Sequence, residues 1–242
     1  MENSAIKAHR TVSRVTAILE FVAGEPRAPL SKIAASLDAP KSSVFGLVKG
    51  LVSTGYLAEV GGGYSLGPAI ASLLRAGGTP ALVDVAGTFL EELRDTFDET
   101  VMLSTQVGDS LIYVAAAESS QPIRYSAPLR VRRPLYPTSS GKAFLAWWSP
   151  ARRRAYLHSV IDNQERLANA LEELETVRAT GIAYNRGETL PDVSAAACPI
   201  RVRGAVVGVV AIAGPTIRMG PTLQDAPVAL TDICSRLAER LG

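Results

Sequence analysis

The run Ser139-Ser140-Gly141-Lys142 has the S-x-x-K spacing of an acyl-transfer nucleophile. Enzymes built on that motif also need S-D-N and K-T-G, and neither string occurs here. The same Gly141-Lys142 is half of a phosphate-binding loop, but Tyr136 stands at the first glycine position and Ala143 at the Ser/Thr position. A plainer reading makes Ser139 or Ser140 the cap of a helix and Gly141 a point of close packing. Free N–H groups at such a helix start favour a carboxylate. Cys198 precedes Pro199 in a β-rich run with no obvious His partner, so it reads as a small buried apolar residue. His158, beside Arg152-Arg153-Arg154, is the one candidate base outside the N-terminal arm. Arg124 and Arg130 are candidate carboxylate partners, and the arginine run reads as a solvated helix face.

A different chemistry is expected near residue 45. If Val44, Leu47, Val48 and Leu51 form the buried stripe of a helix, its other face carries Lys41, Ser42, Ser43, Phe45, Gly46 and Lys49. Short hydroxyls and lysines at a helix start suit phosphate oxygens and base edges, and Phe45 suits a thymine methyl. The Gly61-Gly62-Gly63 turn and Tyr64 could rest on the neighbouring phosphates.

The elements that must position these residues follow from periodicity. Val12, Val15, Ile18, Leu19 and Val22 share a helical face that Gly24 and Pro26 close. Ser31 offers an N-cap for a short helix with Ile33, Ala34 and Leu37 inward. Asp38 tolerates the left-handed turn that follows, and Pro40 opens the third helix. Tyr56–Val60 and Tyr64–Leu66 flank the triglycine as a hairpin. Helix, helix, turn, helix and hairpin make a winged helix-turn-helix.

Beyond the Gly-Gly-Thr-Pro breaker at Gly77–Pro80, an amphipathic helix is expected over Pro80–Phe97. Strands follow at Thr100–Val107 and Leu111–Ala117, then helices at Ser140–Trp148, Pro150–His158 and Asn163–Thr180. Two more strands, Ser194–Arg201 and Ala205–Ala213, precede a last helix at Thr222–Leu241. Strands, helices, then strands predict an antiparallel sheet with packed helices.

The whole chain has 242 residues, two Cys, two His and a net charge of +2. Two cysteines exclude a disulfide scaffold and a cysteine-rich zinc site, and no metal or cofactor is expected. No apolar run approaches the ~18 residues of a membrane span, and the N-terminus lacks a secretory stretch, so a cytoplasmic protein with no membrane partner is expected. The charge is uneven: residues 1–78 carry eight Lys/Arg against five acids, and the rest 17 against 18. A head at +3 and a remainder at −1 place any nucleic-acid role in the first segment.

Residues 10–68 resemble the DNA-binding domain of the IclR family of bacterial transcriptional regulators. The resemblance rests on Arg14-Val15-Thr16-Ala17-Ile18-Leu19, Leu30-Ser31-Lys32-Ile33-Ala34, Pro40-Lys41-Ser42-Ser43-Val44, Leu51–Leu57 and Gly63–Gly67. It continues through Glu99-Thr100-Val101, Ser140–Ala146, Gly181-Ile182-Ala183-Tyr184, Glu188, Ala197-Cys198-Pro199-Ile200 and Ala213-Gly214-Pro215. It implies an α+β chain: a winged helix-turn-helix over 1–68, linker helices over 69–97 and a GAF-like effector domain over 98–242. It implies that Ser31, Lys41, Ser42, Ser43, Phe45, Lys49, Gly62 and Tyr64 meet double-stranded operator DNA. It also implies that Ser139, Ser140, Gly141, Glu188, Cys198, Ala211 and Ala213 line a small-molecule pocket. Ala211 and Ala213, where the family often has hydroxyls, make that pocket less polar, which suits an organic or aromatic acid. Three positions depart from the pattern: Gly46 for a usual Arg, Asp38 for a usual turn Gly, and Asp192 for Gly after Pro191.

The function expected is a ligand-responsive repressor or activator, acting as a homodimer or a dimer of dimers. The alternatives are a small α/β hydrolase or acyl-transfer enzyme with a helical appendage, and a protein-interaction module.

Overall fold

The computed structural model describes residues 9–75 and 82–242. The chain divides into two compact units, Met1–Gly78 and Thr79–Gly242. The Gly77–Pro80 breaker and the start of the helix expected from Pro80 lie outside the described residues.

In the first unit, helices α1 (Arg10–Gly24), α2 (Leu30–Ser36) and α3 (Lys41–Ser53) precede strands β1 (Leu57–Val60) and β2 (Gly63–Leu66) and helix α4 (Pro68–Arg75). Ile18, Val22, Ile33, Val44, Val48 and Leu57 form the core of this unit, between α1, α2, α3 and the hairpin. Each such side chain stabilises the unit by about 1.5–3 kcal/mol on burial. Asp38 takes the left-handed backbone between α2 and α3 at φ 45°, as expected of a short polar residue in a tight turn. The helix α2 starts earlier than expected. Pro29, extended at ψ 153°, is its N-cap and its carbonyl accepts from Lys32 and Ile33 N–H, so Ser31 lies in the first turn and does not cap. Likewise Pro40 is the N-cap of α3, not its first helical residue. Strands β1 and β2 pair antiparallel around Gly61 and Gly62, whose φ values are 59° and 78°.

The second unit holds α5 (Leu82–Phe97), β3 (Thr100–Val107), β4 (Ser110–Ala117), β5 (Arg133–Pro134), α6 (Ser139–Leu145), α7 (Pro150–Val160) and α8 (Gln164–Thr180). It ends with β6 (Ala183–Arg186), β7 (Val193–Val202), β8 (Ala205–Pro215) and α9 (Thr216–Leu241). The strands make one antiparallel sheet in the order β5-β4-β3-β8-β7-β6. The fold is α+β, a helix-turn-helix unit followed by an antiparallel-sheet α/β unit, as the pattern predicted. Strands β5 and β6 are additional to that pattern, and α9 begins six residues earlier than expected although Pro221 and Pro227 lie inside it.

The pleat divides the sheet's side chains between two layers. Met102, Tyr113, Ala195, Ala197, Ala211 and Ala213 face α6, α7 and α8, meeting Phe144, Leu157 and Leu174. Val101, Leu103, Ala196, Cys198, Val210 and Ile212 face α5 and α9, meeting Leu90, Leu230 and Leu237. Helix α5, expected as a linker, thus buries Ala86, Phe89, Leu90 and Leu93 in the second unit's own core.

Candidate functional site

Helix α6 is held at its start by Thr138, whose hydroxyl accepts from Gly141 N–H at 3.0 Å. Thr138 is therefore the cap, in place of the Ser139 or Ser140 expected. A Cβ on Gly141 would lie 1.8 Å from the Leu135 carbonyl oxygen. Only glycine lets α6 approach the 135–138 segment this closely. The next residue, Lys142, is fully buried, and its ammonium spends its three donors on Glu173 Oε1 (2.7 Å), Glu188 Oε2 (2.6 Å) and the Tyr184 carbonyl (3.0 Å). With Lys142 tied to these three partners, the S-x-x-K spacing here is structural.

Beside the start of α6 lies a small cavity of about 40 Å³. Its polar wall is Tyr113, Tyr125, Arg133, Thr138, Ser139 and Asn185, and its apolar wall includes Met102, Leu190 and Ala213. Burial pushes the Tyr113 phenol up to about 12, with Tyr125 adding to the rise and Arg133 opposing it. Tyr113 therefore stays a neutral O–H donor at physiological pH. The Arg133 guanidinium lies 5.3 Å from the Tyr113 ring, and its buried Nε has no hydrogen-bond partner. Asn185 donates to the Pro137 carbonyl and to Thr189 Oγ1, both at 2.8 Å, tying the Gly187–Asp192 loop to the α6 start.

A larger groove, about 700 Å³, opens along the edge strand β6 between α8 and α9. Its charged residues are already engaged, Glu173 by Lys142 and Arg186 against the Tyr184 ring at 4.5 Å. The small cavity is instead lined by Arg133, whose buried Nε has no hydrogen-bond partner, and so carries the better-defined chemistry.

In the first unit α3 buries Val44, Val48 and Leu51 and exposes Lys41, Ser42, Ser43, Phe45, Gly46 and Lys49. Phe45 is 47% exposed, a large apolar side chain left in solvent on the face that also carries the lysines. Lys49 Nζ lies 5.7 Å from the Phe45 ring and 2.9 Å from Glu59 Oε2 on the wing. The Glu59 carboxylate raises the Lys49 pKa by hydrogen bonding and charge. Ser31 is exposed in the first turn of α2, and Gly62 at the tip of the wing.

The family model of the IclR helix-turn-helix domain matches residues 11–61, and that of the bacterial transcriptional regulator IclR C-terminal domain matches residues 79–236. The chain belongs to the IclR family. It is similar to a solved IclR-type regulator from Silicibacter sp. TM1040, with 30% identity, a TM-score of 0.78 and 96% of each chain covered. It is also similar to the transcriptional regulator KdgR of Escherichia coli, 26% identical over 96% of this chain and 92% of that protein. An IclR homologue from Microbacterium hydrocarbonoxydans, solved in complex with 4-hydroxybenzoate, shares the fold at 20% identity and a TM-score of 0.74, with 96% and 98% of the two chains covered.

This IclR-family chain is a transcriptional regulator, not an enzyme, and its helix-turn-helix implies DNA binding. No described helix is long and apolar enough to cross a membrane. Among the described residues no group of three or more His, Cys, Asp or Glu is placed to hold a metal.

Of the residues that the IclR resemblance assigned to the pocket, Ser139 and Ala213 line the cavity. Ser140 and Gly141 are buried behind it in α6, and Ala211 faces the same layer. Cys198 requires correction. It falls one residue out of phase with Ala195 and Ala197, so the pleat turns it to the α9 layer. Glu188 is also corrected: its carboxylate closes on Lys142, while its neighbours Thr189 and Leu190 form the wall. Tyr64 is corrected from a phosphate contact to a core residue. It is 6% exposed because its N–H donates to the Ala28 carbonyl at 2.9 Å and draws β2 onto that segment. Neither Arg124, paired with Glu118 at 3.1 Å, nor Arg130 lines the cavity. Arg133, Tyr113, Tyr125 and Asn185 went unanticipated. For Tyr113 the alternation of β4 was the available signal. Arg133 sits in a two-residue strand too short to show one.

Proposed function

We propose that this IclR-family regulator reads operator DNA as a symmetric dimer through α3 and the wing, and that a small organic acid in the Arg133 cavity alters that binding. One helix-turn-helix covers little surface, so two half-sites about one or more helical turns apart would supply specificity. Lys41 and Lys49 would meet phosphates, Ser42, Ser43 and Phe45 base edges, and Ser31 and Gly62 the flanking backbone. Effector and operator would be linked by a coupling free energy of typically ~1–3 kcal/mol.

The observation that carries the effector class is the buried, partnerless Arg133 Nε on a cavity whose other polar groups are neutral. A guanidinium so placed matches a carboxylate, while Tyr113 and Tyr125 match an aromatic or hydroxylated body. Support also comes from the Microbacterium relative, which holds an aromatic acid. At about 40 Å³ the cavity is narrow, well below the ~300 Å³ or more of typical ligand pockets. Binding would need the cavity to widen, and the loop residues Thr189 and Leu190 in its wall are where it would give.

A thermal-shift screen that pairs each organic acid with its primary amide tests the reading. Acids should raise the transition temperature and amides should not. The Arg133→Gln variant should bind the best acid about tenfold or more weakly, the loss expected for one charge-assisted hydrogen bond. Stabilisation by neutral or cationic compounds alone, or an unchanged affinity in Arg133→Gln, would overturn it.

A further inference from the structure

On the far side of the sheet from the Arg133 cavity, the chain's two cysteines share one pocket. Cys198, in β7, is 6% exposed and Cys234, in α9, is 3% exposed. Both line a cavity of about 310 Å³ together with Arg178, Arg201 and Trp147. Cys234 Sγ donates to the Cys198 carbonyl oxygen at 3.4 Å, and Cys198 Sγ lies 3.9 Å from the Pro199 carbonyl. The two residues are 36 positions apart and come from different elements, so only the packing of α9 on β7 brings them together. Neither role proposed above uses either thiol.

We propose that Cys198 and Cys234 form a hydroperoxide-responsive dithiol, placed by the packing of β7 against α9 at the wall of a pocket lined by two arginines. The Cys198 thiolate attacks one oxygen of the hydroperoxide. The O–O bond breaks, the leaving alkoxide takes a proton to become an alcohol or water, and Cys198 becomes a sulfenic acid. The Cys234 sulfur then attacks the Cys198 sulfur. An S–S bond forms, the S–O bond breaks, and the hydroxyl leaves as water with the Cys234 proton. Overall, two thiols and one hydroperoxide give one disulfide, one alcohol (or water) and one water.

The environment assigns the order of attack. The neighbouring Cys234 and Thr231 side chains and the positive charge of Arg201 favour the Cys198 thiolate, against the opposing effect of burial. The same contact, with burial, holds the Cys234 thiol up, so it keeps its proton and is the resolving partner. Arg178 and Arg201 give the cavity the electropositive character of reactive-thiol sites. A disulfide needs its sulfurs ~2.0 Å apart, and the Cys234 sulfur lies 3.4 Å from the Cys198 carbonyl oxygen, so the two residues are direct neighbours across the β7–α9 packing.

The test treats the full-length protein with one to two equivalents of hydrogen peroxide and follows intact mass and peptide maps. The wild type should lose two hydrogens, about 2 Da, with the Cys198 and Cys234 peptides linked within one chain and the link reversed by dithiothreitol. The Cys234→Ala variant should accumulate a Cys198 sulfenic acid that dimedone captures, and Cys198→Ala should consume peroxide at least tenfold more slowly. Three results on the wild type alone would overturn the proposal, whatever the variants do: two free thiols per denatured chain after treatment, sulfinic or sulfonic acids without a disulfide, or a link between two chains.

Discussion

Glycine 46 is the sixth of the 13 residues of α3, in a helix interior, on the face assigned to DNA. A Cβ built there would meet nothing within 4 Å, so a side chain enters solvent without displacing a neighbour. Replacing Gly46 by Ala should therefore stabilise the first unit by the helix-propensity difference alone, ~0.5–1 kcal/mol. For a unit of this size each kcal/mol moves the midpoint by ~4–8 °C, so the expected shift is about 2–8 °C. The Gly46→Arg variant should gain most of the same helix stability and add a cation on the outward face. One added phosphate contact steepens the salt dependence by a slope of ~0.9. Between 50 and 200 mM salt that is an extra ~3–4-fold loss of affinity, starting from tighter binding at low salt. Fluorescence anisotropy on a generic duplex measures this slope without knowledge of the operator, and circular dichroism follows unfolding. If Gly46→Ala stabilises while Gly46→Arg leaves both affinity and slope unchanged, the exposed face of α3 does not meet DNA. If Gly46→Ala destabilises, the position is packed and the structural argument itself is refuted.

Glu59 holds Lys49 at 2.9 Å, so Glu59→Gln should free the lysine and tighten duplex binding, while Lys49→Ala should weaken it for all sequences and lower the salt slope by ~0.9. Equal slopes in both variants and the wild type would remove Lys49 from the interface. A methyl group at position 141 would lie 1.8 Å from the Leu135 carbonyl oxygen, so Gly141→Ala should lower the urea midpoint by an amount worth ~1–3 kcal/mol or more at unchanged m-value. An unaltered midpoint would show that α6 has room to shift. Asp98 accepts from the Ser120 N–H and hydroxyl and from the Gln121 amide, which hold its carboxyl below the usual value. Its native pKa is the lower one, so its contribution is complete above the unfolded value of ~3.9 and is lost as pH falls through the native value. The stability difference between wild type and Asp98→Asn should thus shrink below about pH 4, and a difference constant from pH 3 to 7 would contradict it.

The first unit was legible because its cues are local. Helical spacing picked out Val44, Leu47, Val48 and Leu51, of which Val44, Val48 and Leu51 are buried and Leu47 is half-buried. Tyr64 misled because no local pattern signals that β2 bonds to the distant Ala28 carbonyl. In the second unit the strands β3, β4, β7 and β8 were visible as β-rich runs, yet the side of the sheet each residue faces was not. That side depends on register, and β3 carries an irregularity at Leu103/Ser104 that shifts it against β4. Cys198, assigned to the pocket by the IclR resemblance, faces the other layer, since a single step along β7 separates the two. Arg133 escaped because a polar residue in a short edge strand looks like any solvated arginine. Its burial is created by Tyr113 and the α6 start, more than five positions away on either side.

Pleat parity also bears on how two inputs could reach one regulator. The cavity at Arg133 takes Val193 and Ala195 from the beginning of β7, on the α6 side. The dithiol takes Cys198 from the middle of the same strand, on the α9 side. An acid entering the first would displace the loop that leads into β7, whereas a Cys198–Cys234 bond would pin β7 to α9. Both would therefore act on one strand from opposite faces, with two residues, Ala196 and Ala197, between Ala195 and Cys198 to transmit any shift. A β-strand is stiff along its length, being hydrogen-bonded on both sides to β6 and β8. A displacement at Val193 cannot be absorbed locally without breaking pairs such as Ala195↔Ala213 and Ala197↔Ala211. The two proposed sites are thus distinct in chemistry, and the strand they share would give the oxidised and reduced proteins different freedom to accommodate an acid.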